Sequence, residues 1–252
     1  MPPALPEHLR SYRYVEQGGK AGFVLESEAG ALIPLLFADA GPGGSEEAGG
    51  RGRVLRFELA SGGGIFRRYR RGGLAARVLA DGYLGNRMRR EFELTAWLYA
   101  AGGAVPQPLG VVWSRRGLLY RGAIATRAIA GDTLLARLQR GEADSRLLGE
   151  CGRVIRVMHD LGVWHADLQA LNILAAGGSA WLIDFDNARR MARVSHVARA
   201  RNLLRLRRSL EKHGQSLDNF DVIRAGYGNL GLPRWLDFLY RLRGLFSDTL
   251  HG

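Results

Sequence analysis

Four residues in the second half of this 252-residue chain are of the types, and at the spacing, needed to move a phosphoryl group. His165, Asp167 and Asn172 stand in the order H-x-D-x-x-x-x-N, and Asp184 follows at the end of the apolar run Ala180-Trp181-Leu182-Ile183. A carboxylate can orient an attacking hydroxyl and accept its proton, while an amide oxygen and a second carboxylate hold Mg²⁺ against nucleotide phosphates. Asp167 is the candidate base, Asn172 and Asp184 are the candidate metal ligands, and His165 and Asn172 are grouped with Asp167 as catalytic. Any one of the four alone reads as a turn cap or a strand end; the ordered set points to chemistry.

Such a set works only if neighbouring elements place it. Ser145 to Leu161 carries Leu147, Leu148, Cys151, Val154, Ile155 and Met158 at helical intervals and predicts a helix feeding the loop. Ile173-Leu174 leaves the loop as a strand, Gly177-Gly178-Ser179 turns, and Ala180 to Ile183 returns. This hairpin sets Asp184 beside Asn172, so that two hard oxygen ligands can converge on one cation.

Upstream the signals change. Gly41 to Gly52 reads as a flexible glycine-rich loop. Val54 to Leu59 alternates as a strand, Ser61 to Gly64 turns, and Ile65 to Tyr69 pairs back. Arg87 to Ala101 predicts a helix with Phe92, Leu94, Ala96, Trp97 and Leu98 on its apolar side, ended by Val105-Pro106-Gln107-Pro108. Leu109 to Trp113 and Leu118 to Ile129 read as strands joined at Ser114 to Gly117, and beyond Gly131 the pattern is mainly helical. The expected architecture is α+β in two lobes: a β-rich N-terminal lobe, residues 1–128, with the glycine loop and one helix, and a mainly helical C-terminal lobe, residues 129–252.

Three segments carry a family resemblance: Tyr69-Arg70-Arg71-Gly72-Gly73-Leu74, Gly162-Val163-Trp164-His165-Ala166-Asp167-Leu168, and Trp181-Leu182-Ile183-Asp184-Phe185-Asp186. They resemble the lipopolysaccharide-kinase family of Gram-negative bacteria, over about Arg53 to Leu210. Ordinary protein kinases have neither the Trp before the His nor an Asp where Asp186 stands. The resemblance implies a protein-kinase-like two-lobed fold and ATP-dependent phosphorylation of the 4-hydroxyl of 3-deoxy-D-manno-octulosonic acid (Kdo) on Kdo–lipid A. It also implies ATP between the lobes, its adenine near Ala128 to Ala130 and Ile129, and Mg²⁺ between Asn172 and Asp184.

The remaining kinase parts are matched one by one. Gly50-Arg51-Gly52-Arg53-Val54 supplies G-x-G-x-V before a strand, without the third glycine; Gly50, Gly52 and Val54 are nucleotide-binding candidates, since glycine lets backbone N–H groups approach phosphate. An unstructured glycine-rich insertion is the plainer alternative. Of the 36 Lys and Arg residues only Lys20 and Lys212 are lysine, so the strand lysine of kinases has no candidate. A cation on Ile65 to Tyr69 must be arginine: Arg67 first, Arg68 second, because neighbours on a strand face opposite sides. Glu91 is preferred over Glu93 as its helical partner. Gln169 stands where many serine/threonine kinases carry a lysine two residues after the catalytic Asp. Neither an Ala-Pro-Glu element nor a long activation segment follows Asp186, and Arg189, Arg190 and Arg193 come at once, which argues against protein substrates.

The single cysteine, Cys151, forbids an internal disulfide and reads as a buried helix residue. Met1-Pro2-Pro3-Ala4 lacks the build of a signal peptide, and Ala31 to Ala38 is too short to span a bilayer and is broken by Pro34. A soluble or peripheral protein is expected. The net charge of +12 predicts an anionic partner: nucleic acid, acidic lipid or a phosphorylated sugar. Arg201, Arg205, Arg208 and Lys212 form one stripe on a helix from Ser195 to His213, opposite Leu203, Leu206 and Leu210. A solvated helix face is the default; contact with lipid phosphates is the functional alternative. With the resemblance, the expected setting is the cytoplasmic face of the inner membrane, held peripherally by anionic lipid, without nucleic acid. Two alternatives stay open: another small-molecule kinase of this fold, of the heptose or aminoglycoside type, or a catalytically dead, nucleic-acid-binding pseudokinase.

Overall fold

The computed structural model describes residues 6–38, 46–47, 54–69 and 83–228, with side chains at 46–47 and 83–84 left aside. The glycine run at Gly50 and Gly52 and most of the segment Tyr69 to Leu74 lie outside the described residues. The chain divides into two compact units, Met1–Ala130 and Gly131–Gly252, two residues beyond the boundary read from the sequence.

The first unit is built on one antiparallel sheet. Its strands are β1 (Tyr12–Gln17), β2 (Lys20–Leu25), β3 (Glu46–Glu47), β4 (Val54–Leu59), β5 (Gly62–Arg68), β6 (Tyr83–Leu84), β7 (Pro108–Arg116) and β8 (Leu119–Arg127). They run in the order β1-β2-β7-β8-β5-β4-β3, with β6 added to β8. Among the described residues two helices cover it, α1 (Ala29–Phe37) and α2 (Arg87–Ala100). On β2, a Cβ at position 22 would touch the Phe37 ring of α1, while the next residue, Phe23, stacks on Phe92 of α2 at 5.9 Å. Adjacent strand residues face opposite ways, so β2 is covered on both sides. That is why Gly22-Phe23-Val24-Leu25 is buried without alternation.

Three local expectations shift. The β4–β5 turn is tighter than Ser61 to Gly64: Leu59 pairs with Gly62 and Phe57 with Gly64. The glycines belong to the strand because the Phe57 ring lies over Gly64, where a Cβ would sit 2.2 Å from it. Pro34 does not break the segment from 31 to 38 but sits inside α1; it costs one backbone hydrogen bond, and burial of Leu32, Leu36 and Phe37 offsets the loss. The second strand of the β7–β8 hairpin stops at Arg127, short of Ile129. Helix α2 starts as expected, because the Asn86 side chain accepts from the Arg89 N–H at 3.0 Å.

The second unit has α3 (Leu134–Gln139), α4 (Ser145–Asp160), α5 (His196–Lys212) and α6 (Leu217–Tyr227). Its strands are short: β9 (Asp132–Thr133), β10 (Val163–Trp164), β11 (Ile173–Ala176), β12 (Ser179–Leu182) and β13 (Arg189–Arg190). Asp144, Ser195 and Ser216 cap α4, α5 and α6 with side-chain oxygens. Helices α4 and α6 cross closely because glycines line the crossing: a Cβ on Gly152 would stand 2.0 Å from the Ile223 carbonyl oxygen. Cys151 lies beside this crossing, fully buried, and burial pushes its thiol up to about 12, so it is an inert packing residue. Among the described residues no helix is long and apolar enough to cross a membrane.

Candidate active site

The hairpin does what the spacing asks. β11 pairs with β12 from Ile173↔Leu182 to Ala176↔Ser179, turning on Gly177 and Gly178 with φ of 55° and 80°. Both central residues of this turn type need positive φ, so Gly-Gly sets the register without strain. The ladder continues past the strands: the Ile183 N–H donates to the Asn172 carbonyl at 3.0 Å. Asp184 is therefore the next residue beyond the one facing Asn172. It is the sole non-glycine residue with positive φ among those described, at 64°. The Asn172 side chain is buried and its Nδ2 donates to the Asp167 carbonyl at 2.8 Å. That contact curls the loop and leaves Oδ1 as the end the amide can offer a cation.

The donor set fits Mg²⁺. One carboxylate and one amide oxygen are hard ligands, few enough for the ion to keep water and phosphate oxygens. Among the described residues no cluster of three or more His, Cys, Asp or Glu forms an all-protein cage for a metal.

His165 lies beneath the loop, 1% exposed. Its Nε2–H donates to the Ile183 carbonyl at 3.0 Å and its Nδ1 accepts from the Asp167 N–H at 3.1 Å. These two bonds require the neutral ring, and burial lowers its pKa accordingly. The ring also packs on Phe185 at 4.9 Å. Both nitrogens are thus taken by backbone, which fixes the ring between the Asp167 N–H and the Ile183 carbonyl, one residue before Asp184.

Asp167 itself faces solvent, its side chain 58% exposed. Its Oδ2 accepts from Gln169 Nε2 at 2.8 Å, and its Oδ1 lies 3.8 Å from Arg205 Nη1. Beneath, Asn202 of α5 holds the loop: its Oδ1 accepts from the His165 N–H at 3.2 Å and its Nδ2 donates to the His165 carbonyl at 2.8 Å. The same Oδ1 accepts from His159 Nε2 at 3.0 Å, and His159 Nδ1 meets the Tyr227 hydroxyl at 2.9 Å. Burial holds His159 down to about 4. Two turns on, Ser209 Oγ accepts from the Ala170 N–H at 3.2 Å. Asn202 and Ser209 escaped the sequence reading, which saw α5 as Leu against Arg and placed Arg205 in the basic stripe without its neighbour Asp167. The available signal was an Asn at 202 and a Ser at 209, seven apart, on a face otherwise lined by leucine.

In the first unit, Glu91 is 5% exposed and pairs with Arg67, Nη2 to Oε1 at 2.5 Å; the Tyr69 hydroxyl donates to its other oxygen. Arg67 also lies over the Tyr69 ring, 4.9 Å away. Glu93 turns outward and pairs with Arg89 at 2.7 Å. Arg68 is exposed and lies 5.8 Å over the Phe66 ring. Val54 is the register partner of Arg67. Ile129, half-buried, lies in irregular chain after β8.

The comparisons with known proteins identify a phosphotransferase of the kinase type. The profile of the "Lipopolysaccharide kinase (Kdo/WaaP) family" matches residues 44–227. The chain is 41% identical over 213 residues to a "3-deoxy-D-manno-octulosonic acid kinase" of Xylella fastidiosa (strain 9a5c), covering 79% of this chain and 84% of that protein. It is 38% identical over 194 residues to the protein of the same description from Xanthomonas campestris pv. campestris (strain B100), covering 74% and 76%. The solved structure "WaaP in complex with acyl carrier protein" superposes with a TM-score of 0.54 at 19% identity, covering 79% of this chain and 88% of that one. The chain belongs to the lipopolysaccharide kinase (Kdo/WaaP) family. It is a kinase with the protein-kinase-like α+β fold, and its family implies the use of ATP.

Proposed function

We propose that this chain transfers the γ-phosphoryl group of ATP to the 4-hydroxyl of Kdo on Kdo–lipid A, in assembly of the lipopolysaccharide inner core. The observation that carries the reading is the loop from 163 to 172, with an exposed carboxylate at Asp167 and a hairpin that brings Asn172 and Asp184 together. The acceptor oxygen attacks the γ-phosphorus, the bond to the β-phosphate oxygen breaks, and the hydroxyl proton passes to an oxygen of Asp167. Asn172 and Asp184 would hold Mg²⁺, which would supply charge neutralisation at the phosphates. The relatives' shared description supports Kdo as acceptor. The test is transfer of labelled γ-phosphate from ATP to Kdo–lipid A, beside a heptosylated acceptor and an aminoglycoside. Label on Kdo–lipid A supports the reading, and label confined to either of the other acceptors refutes it.

In this reading Arg67 stands in for the strand lysine and contacts nucleotide phosphate, held by Glu91. Arg67→Ala raises KM for ATP and lowers kcat, together on the order of 10²-fold in kcat/KM, as expected for loss of a preorganised charge at the phosphates. Arg68→Ala changes kcat/KM by less than about threefold, the ordinary result for an exposed charge. Steady-state kinetics with varied ATP checks both. Equal effects would remove Arg67 from the nucleotide site.

We also place the enzyme at the cytoplasmic face of the inner membrane, where an acceptor anchored in lipid would be met. The support is the charge of +12 and the exposure of Arg201, Arg205, Arg208 and Lys212 along α5. Each such charge near an anionic surface contributes on the order of 1 kcal/mol within a Debye length. Cosedimentation with phosphatidylglycerol-containing vesicles should be strong at low salt and weak at high salt. Gln at Arg201, Arg208 and Lys212 should weaken it further, with Arg205 left intact because it adjoins Asp167. Binding indifferent to salt and to these substitutions would return the stripe to a solvated helix face.

A further inference from the structure

The kinase reading leaves one charge unaccounted for. Gln169 occupies the position two residues after Asp167, and its neutral amide donates to Asp167 Oδ2 at 2.8 Å. It braces the carboxylate but brings no cation to the transferring phosphoryl group. The cation beside this carboxylate comes instead from α5, where Arg205 Nη1 lies 3.8 Å from Asp167 Oδ1.

We propose that Arg205 supplies the positive charge at the transfer step that Gln169 does not, by contacting the phosphoryl group as it passes to the acceptor. Its placement is built in. Residues 202, 205 and 209 share one face of α5. Asn202 bonds both backbone groups of His165, and Ser209 bonds the Ala170 N–H. The helix backbone that carries Arg205 is therefore held against the loop by anchors on the turns before and after it. Stability does not explain the contact: the two side chains are 47% and 58% exposed, and such surface pairs contribute about 0–1 kcal/mol. At 3.8 Å the contact is also too long for a hydrogen bond, so it leaves the guanidinium donors for an incoming anion. A planar fork of that kind suits the equatorial oxygens of a phosphoryl group in flight, where charge accumulates.

The inference rests on the kinase reading, and the experiment separates the two. Transfer to a soluble Kdo glycoside and acceptor-free ATP hydrolysis are measured for the unaltered chain, Arg205→Gln, Arg205→Lys, the double variant Gln169→Lys/Arg205→Gln, and Arg146→Gln, at an exposed arginine on α4, as a control for bulk charge. Arg205→Gln should lower kcat about 10²-fold while KM for the acceptor, ATP affinity by nucleotide titration and Tm hold. Arg205→Lys should keep activity within about tenfold of the unaltered chain, and Gln169→Lys should recover at least about tenfold in the Arg205→Gln background. Arg146→Gln should match the unaltered chain. Failure of Gln169→Lys to restore turnover would overturn the proposal, as would an effect of Arg205→Gln confined to acceptor KM, which would assign Arg205 to an anionic group of the acceptor. Hydrolysis without transfer to Kdo removes the acceptor assignment alone, and the Arg205 comparison then proceeds on hydrolysis. An unaltered chain that does neither overturns the kinase reading and this proposal with it.

Discussion

Replacing Asp167 by alanine should lower phosphoryl transfer about 10³-fold, while Mg·ATP binding and folding stay near those of the unaltered protein. The magnitude is that of removing a positioned base from the transition state. The selectivity follows from geometry. The Asp167 side chain is largely in water, so truncation opens no cavity, and the backbone bonds that hold its position remain, from its N–H to His165 and from Asn172 to its carbonyl. Asp184→Ala should behave differently, weakening Mg·ATP binding as well as turnover, because a metal ligand goes. Single-turnover transfer measured alongside nucleotide titration distinguishes the two. Near-normal turnover in Asp167→Ala would take the base assignment away from it.

Asn202→Ala should be the most damaging change to folding among the residues around the loop. It leaves the His165 N–H, the His165 carbonyl and the His159 ring N–H without their partner in a fully buried place. Each orphaned group costs about 1–3 kcal/mol, so a loss of about 3 kcal/mol and a Tm lower by roughly 10 °C are expected. Asn202→Asp should not restore stability, since its carboxylate cannot donate to the His165 carbonyl. Thermal melts followed by circular dichroism decide the matter; a Tm drop below about 2 °C would mean water replaces the amide. The same buried layer makes the fold acid-labile. His159 is held neutral down to about 4, below its unfolded value near 6.5. Its contribution is therefore complete above pH 6.5 and is lost as pH falls from 6.5 towards 4, in total about 3 kcal/mol.

The elements that position chemistry were legible because their signals are local. Gly177-Gly178 between two apolar runs fixes a two-residue hairpin, and the apolar periodicities read from Arg87, Ser145 and Ser195 begin at or beside the observed helix starts. The pairing of Arg67 and Glu91 was reachable too, since strand and helix periodicities each leave a small choice of faces. What escaped depends on contacts distant in sequence. Asn202 acts on His165 across 37 residues, and nothing within α5 reveals which backbone a buried amide will meet. The partners of His165 are hidden for the same reason: its place in the motif does not reveal that the Ile183 carbonyl and the Asp167 N–H take its two ring nitrogens. The glycines at 62–64 looked like a turn because their tolerance in a strand comes from an aromatic ring on the neighbouring strand.

The left-handed backbone at Asp184 sets stability against use at a single codon. A non-glycine residue at φ of 64° sits in a conformation that glycine adopts at little cost and most side chains resist. Folding therefore bears a strain of about 1 kcal/mol here for the sake of one carboxylate. With Asp184 as the proposed metal ligand, selection for thermostability alone would favour glycine at this position at the expense of turnover. Directed evolution of this chain should accordingly be scored on turnover as well as on stability.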